Sequence, residues 1–478
     1  MSNKVKGKAR AAAAVALAAG VAASVGAQPA GPGDVGTAVW AAGAEPLAAE
    51  SVVLDMQAGV DRAVRWHPLV RQAEGQLLQA GEGIDSARAG YYPQISGGVN
   101  SRTGNSDLTG YESRHVHRAE ITLRQTLYDF GKVDSEVGRA RASSDVARAG
   151  VLSSFDDVVR STAQAWIEVR RQQALVKVAQ EQLRALEELA GLARRRQTEG
   201  ASTYSDTVQA RARVEAAQVS LLTAQSQVLR WRTNLMNWVG GPVLPEVAGD
   251  PVAGLDGACQ QSGAIQPWDA ATSVSSASAV QEAEARLMVA RAGADIAKSQ
   301  ERPTLSVDAS LGRGLNSSSR RPGEPNAEAV VMLNFSMPFY QGGRLQADRR
   351  AAEYAVQSSR AALERVKLDT EQGLRDAALA KQENSRRITV QAAREESMRV
   401  TRALYRDQYL ELGTRSLLDL LNAEQEYHAA RSDQIDSEHN IYRSSIDCLY
   451  HAGSMRSVFG LEQVTAQALG SAQPLGLR

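Results

Sequence analysis

Two hydrophobic periods alternate along this chain, and each marks a different kind of element. From about 133 to 198 the uncharged positions recur every seven residues: Phe155, Thr162, Val169, Val176, Leu183 and Ala190, with a second line at Val158, Ala165, Gln172, Ala179, Leu186 and Ala193. That spacing predicts a coiled-coil seam lean in large side chains, which lets helices approach closely. At 1.5 Å per residue the rod is about 100 Å long. After a break near Gly200 the pattern resumes at Ala210, Val214, Ala217, Leu221, Ala224, Val228, Trp231, Leu235 and Trp238, in unbroken steps of four and three. This returning helix ends at Gly240-Gly241-Pro242 after only about 50 Å, so a further half-length helix stacked on its end is expected.

Period two marks the strands. Ala119, Ile121, Leu123 and Leu127 point one way and Arg118, Glu120, Thr122, Arg124 and Thr126 the other, with Gln125 the exception. Strands are predicted at 94–103 and 116–127 around a polar loop, and again at 304–313 and 329–339, where Val331, Leu333, Phe335, Met337 and Phe339 share a face. One apolar and one charged face over about ten residues suits a strand of a membrane barrel with a wet lumen, or an edge hairpin of a soluble sheet.

These elements occur twice. The second returning helix carries Ala423, Tyr427, Ala430, Gln434, Ser437, Ile441, Ser444, Cys448 and His451, each 213 residues after its counterpart (423 − 210) and none charged. The predicted organisation is a first repeat over 52–242 with a helical hairpin at 133–240, a connector over 243–278, a second repeat over 279–453 with a hairpin at 346–452, and a tail over 454–478. In the first repeat His67-Pro68 marks a helix boundary, because Pro restricts the residue before it.

The hairpin tips hold the candidate chemistry. The stretch 405–424 reads YRDQYLELGTRSLLDLLNAE. Gly413 is expected to end the long helix, since Gly accepts φ > 0 without a Cβ clash, and Thr414 or Ser416 to cap the next. Arg415, Asp419 and Asn422 form a small polar group, the last two three residues apart on one face. An earlier tip, EGASTYSDTVQAR at 199–211, aligns Gly200 with Gly413 and Asp206 with Asp419.

The 54 basic and 54 acidic side chains balance, which argues against a nucleic-acid partner. Residues 1–27 read as an export signal: Lys4, Lys6, Lys8 and Arg10, an apolar run from Ala11 to Ala23, and Val25-Gly26-Ala27 before the cleavage point. Residues 28–51 form a loosely held arm. Cys259 and Cys448 could pair in an oxidising compartment, but one falls in the connector and the other on a helix seam, and the sequence favours leaving them apart. No catalytic constellation, cofactor motif or GxxxxGK[ST] loop is present. His115 and His117 form an HxH pair in an expected polar loop, without the further ligands of a metal site. His428 and His439 are expected to serve packing.

Each repeat supplies two strands, and four strands cannot close a barrel. An open edge in lipid leaves backbone groups unpaired. The chain must therefore oligomerise, two copies giving eight strands and three giving 12.

The twofold arrangement, the junctions LYDFGKV and FYQGGRL, and the tip GTRSLLDLLNAEQEY resemble the TolC family of bacterial outer-membrane channels over about 54–460. The resemblance implies an α+β membrane protein: a homotrimer with a 12-stranded β-barrel continued by a 12-helix periplasmic α-barrel tunnel, and an equatorial belt. It implies a passive, non-enzymatic duct working with a periplasmic adaptor and an inner-membrane ABC transporter. The tip is closer in form to channels of type I protein secretion than to those of multidrug efflux pumps. The resemblance also implies that Arg415 holds the tunnel end closed against Ser205 and Asp206 of a neighbouring tip. Tyr409 lies one residue from the expected gate tyrosine, whose place Leu410 takes. Asp419 resembles the first aspartate of an entrance constriction; Asn422 replaces the second, so cation affinity there should be weaker. A secreted coiled-coil adhesin would explain the heptads but not the two membrane-type hairpins.

Overall fold

A computed structural model of the protein describes residues 53–103, 115–255, 259, 274–315 and 327–471. The signal at 1–27, the arm at 28–51, the two strand-to-strand loops and part of the connector (256–258 and 260–273) lie outside the described residues. In chain order the elements are β1 (Val53–Leu54), α1 (Met56–Trp66), α2 (Pro68–Arg88), β2 (Gln94–Thr103), β3 (His115–Tyr128), α3 (Lys132–Thr198), α4 (Tyr204–Val239) and β4 (Glu246–Val247). The second repeat follows with α5 (Ser278–Ser299), β5 (Thr304–Gly314), β6 (Ala327–Ser336), α6 (Arg344–Asp407) and α7 (Leu417–Ala452), then α8 (Met455–Val458) and α9 (Glu462–Ser471).

The heptad seams become helix contacts. Long helix α3 packs against α4 and α7, and α6 against α7, while α2 and α5 pack alongside α3. Phe155, Val158, Thr162, Ala165, Val169 and Gln172 are buried on α3, as are Leu186 and Ala193 nearer its end. Of the nine seam positions on α7, none is exposed.

The shortfall of each returning helix is met as its length requires. At the α1–α2 break, Arg62 donates from Nε to the Val239 carbonyl (3.1 Å) and from Nη2 to that of Gly240 (3.2 Å), so its guanidinium caps the end of α4. Trp66 covers Gly240 so closely that a Cβ there would lie 2.4 Å from the indole, and His67 stacks on Trp238 at 4.8 Å. In the second repeat the end of α7 meets the start of α5. Gly453 has φ +69°, a Cβ on it would sit 2.2 Å from the Ser276 carbonyl oxygen, and the Ser276 hydroxyl donates to the Ala452 carbonyl at 2.7 Å.

The main core lies around these joints and includes Met56, Phe155, Trp166, Leu235, Leu374, Ile446, Leu449 and Phe459. Here the structure overturns one expectation. Cys259 and Cys448 form a disulfide with Cα atoms 5.4 Å apart. Cys448 sits on the seam, but on the side where the connector folds against α7, a tertiary contact that helical periodicity cannot show.

The four long strands form one antiparallel sheet in the order β2-β3-β5-β6, so the two hairpins join through β3 and β5. The fourth strand stops at Ser336 rather than 339. Pro338 lacks the N–H a ladder needs, so Met337 and Phe339 lie beyond it. His115 and His117 stand in β3 rather than in a loop, facing Thr103 and Ser101 across the ladder.

Candidate channel entrance and membrane sheet

The register sorts the sheet into two chemically distinct faces. Ile95, Val99, Ile121, Leu123, Val307, Leu311, Val331, Leu333 and Phe335 share one face, with Gln125 the polar exception below the rim. Ile95, Val99, Val331, Leu333 and Phe335 are each more than 60% exposed, although they are large and apolar. The opposite face carries Arg124 paired with Asp308 (2.7 Å) and Arg118 paired with Glu328 (2.6 Å). Where strands meet helices, Tyr91, Tyr92, Tyr128, Phe130, Phe339 and Tyr340 are exposed, an aromatic girdle at one end of the apolar band. No helix among the described residues is long and apolar enough to cross a membrane. The outer edges of β2 and β6 have no partner within the sheet.

At the other end, two tips are built on one plan. Gly200 takes φ +76°; its N–H reaches the Gln197 carbonyl (3.0 Å), and that of Ala201 reaches Arg196 (2.7 Å), the paired bonds that close a helix on a left-handed glycine. Thr203 then caps α4 in a capping box with Asp206: the Asp206 N–H donates to Thr203 Oγ1 (3.2 Å), and the carboxylate accepts from the Thr203 N–H (3.1 Å). Asp206 also accepts from Ser202 Oγ at 2.8 Å. The Ser202 hydroxyl chiefly, with the Thr203 bonds, holds the Asp206 carboxyl below the usual carboxylate range against the opposing effect of burial. Ser205 is exposed beside it.

The second tip repeats the box with Ser416 as cap and Asp419 as its partner, the Ser416 hydroxyl donating to the carboxylate at 3.0 Å and accepting from the Asp419 N–H at 3.2 Å. Its entry differs. Residues Gln408–Leu412 form a π turn before Gly413 at φ +62°. This turn buries Tyr409, over whose ring the Arg196 guanidinium lies at 4.6 Å, while Arg196 Nη1 donates to the Tyr409 carbonyl at 2.6 Å. Leu186, Leu189, Ala193, Ala210, Leu417, Leu420 and Leu421 pack around it, joining the two tips of one chain.

Arg415 points elsewhere within the chain. Its Nε donates to Gln408 Oε1 at 3.1 Å, its guanidinium lies 4.5 Å from the Tyr405 ring centroid, and Asp419 is 3.9 Å away. Asn422 Oδ1 accepts from Arg213 Nη2 at 3.2 Å, and Arg213 Nη1 donates to Gln425 at 2.6 Å, tying α4 to α7.

Sequence reasoning missed Arg196 and Arg213, whose partners lie more than 200 residues away. It also missed the buried pair of Glu424 and His428, 2.9 Å apart with Arg402 at 3.0 Å from the carboxylate. Their i, i+4 spacing was the available signal. His439 bonds the Ile435 carbonyl (2.8 Å), as a packing residue does.

A sheet with a lipid-type face, continued by paired helical hairpins, defines an outer-membrane protein whose helices form a periplasmic duct. The comparisons agree: the chain matches the family described as "Outer membrane efflux protein" over residues 59–241 and 273–449 and belongs to that family, that of TolC, whose members are channels. It is 25% identical to the outer membrane efflux protein BepC of Brucella suis over 394 residues, 81% of this chain and 82% of that one. It is equally 25% identical to the proteases secretion protein PrtF of Dickeya chrysanthemi over 445 residues, 85% and 91% of the two chains. In fold it resembles the CmeC outer membrane channel of Campylobacter jejuni, with a TM-score of 0.72 at 14% identity over 88% of this chain and 89% of that one.

Proposed function

We propose that the chain is the outer-membrane exit duct of a type I protein secretion system, a homotrimer that closes a 12-stranded barrel and is served by a periplasmic adaptor and an inner-membrane ABC transporter. The observation that carries the duct is the four-stranded sheet with one apolar face, one charged face and two unpaired edges. Edges left open in hydrocarbon would cost several kcal/mol per unsatisfied group; pairing β6 of one copy with β2 of the next removes them. The form of the tip GTRSLLDLLNAEQEY and the likeness to a proteases secretion protein support the cargo class. The likeness to an efflux protein supports the second reading, small-molecule efflux.

In this proposal the tips are the gate. Arg415 holds Ser205 and Asp206 of the adjoining copy, and both capping boxes fix where these groups stand. The π turn offers a reason for the displaced tyrosine, because it takes one residue more than an α turn. Asp419 supplies a single carboxylate per copy at the constriction, since Asn422 is neutral. Deleting the chain from its host should stop release of an ABC-exported protein into the medium and leave drug susceptibility unchanged. Normal protein release with heightened drug susceptibility would assign the duct to efflux instead.

A further inference from the structure

The lipid-type face of the sheet changes character at the rim remote from the helices. Along β5 its outward positions run Leu305, Val307, Ala309, Leu311 and then Arg313; along β3 they run Leu123, Ile121, Ala119 and then His117 and His115. Arg313 stands opposite Ala119, and Leu315 N–H donates to the His117 carbonyl at 2.9 Å, so Arg313 and His117 are diagonal neighbours on one face. The imidazoles are anchored on that face: Nδ1 of His117 shares a hydrogen bond with Ser101 Oγ (2.8 Å) and Nδ1 of His115 with Thr103 Oγ1 (3.1 Å). All three side chains are exposed. No carboxylate stands among the outward-facing described positions of the four strands, whereas on the opposite face Arg118 pairs with Glu328 and Arg124 with Asp308.

Height decides what these groups meet. Tyr128 of the aromatic girdle pairs with Leu305, and Arg313 lies eight residues further along the strand (313 − 305). That is about 27 Å of strand, or about 21 Å of height at a tilt of about 40°. An apolar band of about 25 Å that begins at the girdle therefore ends about 4 Å beyond the Arg313 backbone, a distance its long side chain spans. A guanidinium here, planar and always charged, meets headgroups rather than acyl chains, and its donor fork matches phosphate oxygens.

We propose that Arg313, with His117 and His115 beside it, binds the phosphate groups of lipid headgroups in the outer leaflet, one site on each copy of the chain. The site rests on the reading of the sheet as part of a closed membrane barrel. Girdle and cationic rim then fix the two interfaces with different chemistry, aromatic on the periplasmic side and phosphate-binding on the other.

The test uses the full-length oligomer reconstituted into phosphatidylcholine nanodiscs with a diphosphorylated saccharolipid, its dephosphorylated analogue, or inorganic phosphate alone. Lipid retained after detergent extraction is read by native mass spectrometry. The wild type should retain the diphosphorylated lipid about tenfold over the analogue, equivalent to about 1.4 kcal/mol, and should retain no inorganic phosphate. Arg313→Gln should abolish that preference, and His117→Gln should reduce it about threefold. Arg102→Gln, on the opposite face near the same rim, should leave it unchanged. Equal retention by wild type and Arg313→Gln, equal loss in Arg102→Gln, or retention of inorganic phosphate would overturn the site while leaving the barrel standing. A chain that does not insert into the nanodisc overturns the barrel reading and the site with it.

Discussion

Replacing Arg415 by Ser should raise single-channel conductance. In the proposed trimer each Arg415 meets Ser205 and Asp206 of an adjoining tip, and an exposed contact of this kind contributes about 0.2–1 kcal/mol. Three acting in concert give about 0.6–3 kcal/mol, a bias toward the closed state of roughly threefold to 150-fold. The substitution also removes the Gln408 bond and the Tyr405 stacking, both of them contacts within one tip. Asp206→Ala should act in the same direction, with a complication from its capping box. The bonds from the Ser202 hydroxyl and the Thr203 N–H are lost with the carboxylate, which could loosen the tip by itself. Thr203→Ala separates the two effects, because it breaks the box and keeps the carboxylate. The assay is conductance of purified trimers in planar bilayers at fixed salt. Raised conductance in Arg415→Ser and Asp206→Ala, with Thr203→Ala near wild type, supports the gate. Unchanged conductance in Arg415→Ser and Asp206→Ala, in intact trimers, refutes it; a Thr203→Ala channel as open as Asp206→Ala reduces the role of Asp206 to capping.

Gly453→Ala should lower the unfolding temperature by several degrees in calorimetry, because it combines φ +69° with a Cβ 2.2 Å from the Ser276 carbonyl. Reducing the Cys259–Cys448 bridge, which spans 189 residues, should cost up to about 5 kcal/mol in the chain-entropy account, measured as the shift in denaturant midpoint with and without reductant. Burial pushes the Asp156 carboxyl up to about 6, against the opposing pull of Arg456. A raised carboxyl pKa means the folded state binds the proton more tightly, so this contribution is greatest in acid and falls as pH rises toward 6, levelling off above it. Between pH 5 and pH 7 the loss is about 1 kcal/mol. The difference in stability between those pH values should shrink by that amount in Asp156→Asn.

Much of this architecture was legible because its elements are long and periodic. The seam from Ala210 to Trp238 and its echo 213 residues later located both hairpins, and His67-Pro68 marked the helix break. Strand alternation identified the two faces, and it failed at Met337 because a side-chain pattern carries no information about a missing N–H at Pro338. At the tips, Gly200 and Gly413 announced themselves by the conformation they permit. What the aspartates do locally was less visible. Asp206 and Asp419 each stand three residues after a capping Thr or Ser, a spacing present in the sequence, yet the resemblance presents them as gate and constriction groups and not as partners in capping boxes. The Cys259–Cys448 bond and the Arg213–Asn422 joint depend on which faces meet in three dimensions, and no local period encodes that.

Unpaired strand edges force the chain to oligomerise, and in the proposed trimer three copies close a 12-stranded barrel. Native mass spectrometry of the complex extracted from outer membranes tests it most directly, since copy number multiplied by four gives the strand count. The expected mass is that of three mature chains, persisting in detergent until heated. A mass of one or two chains in the functional complex would contradict it.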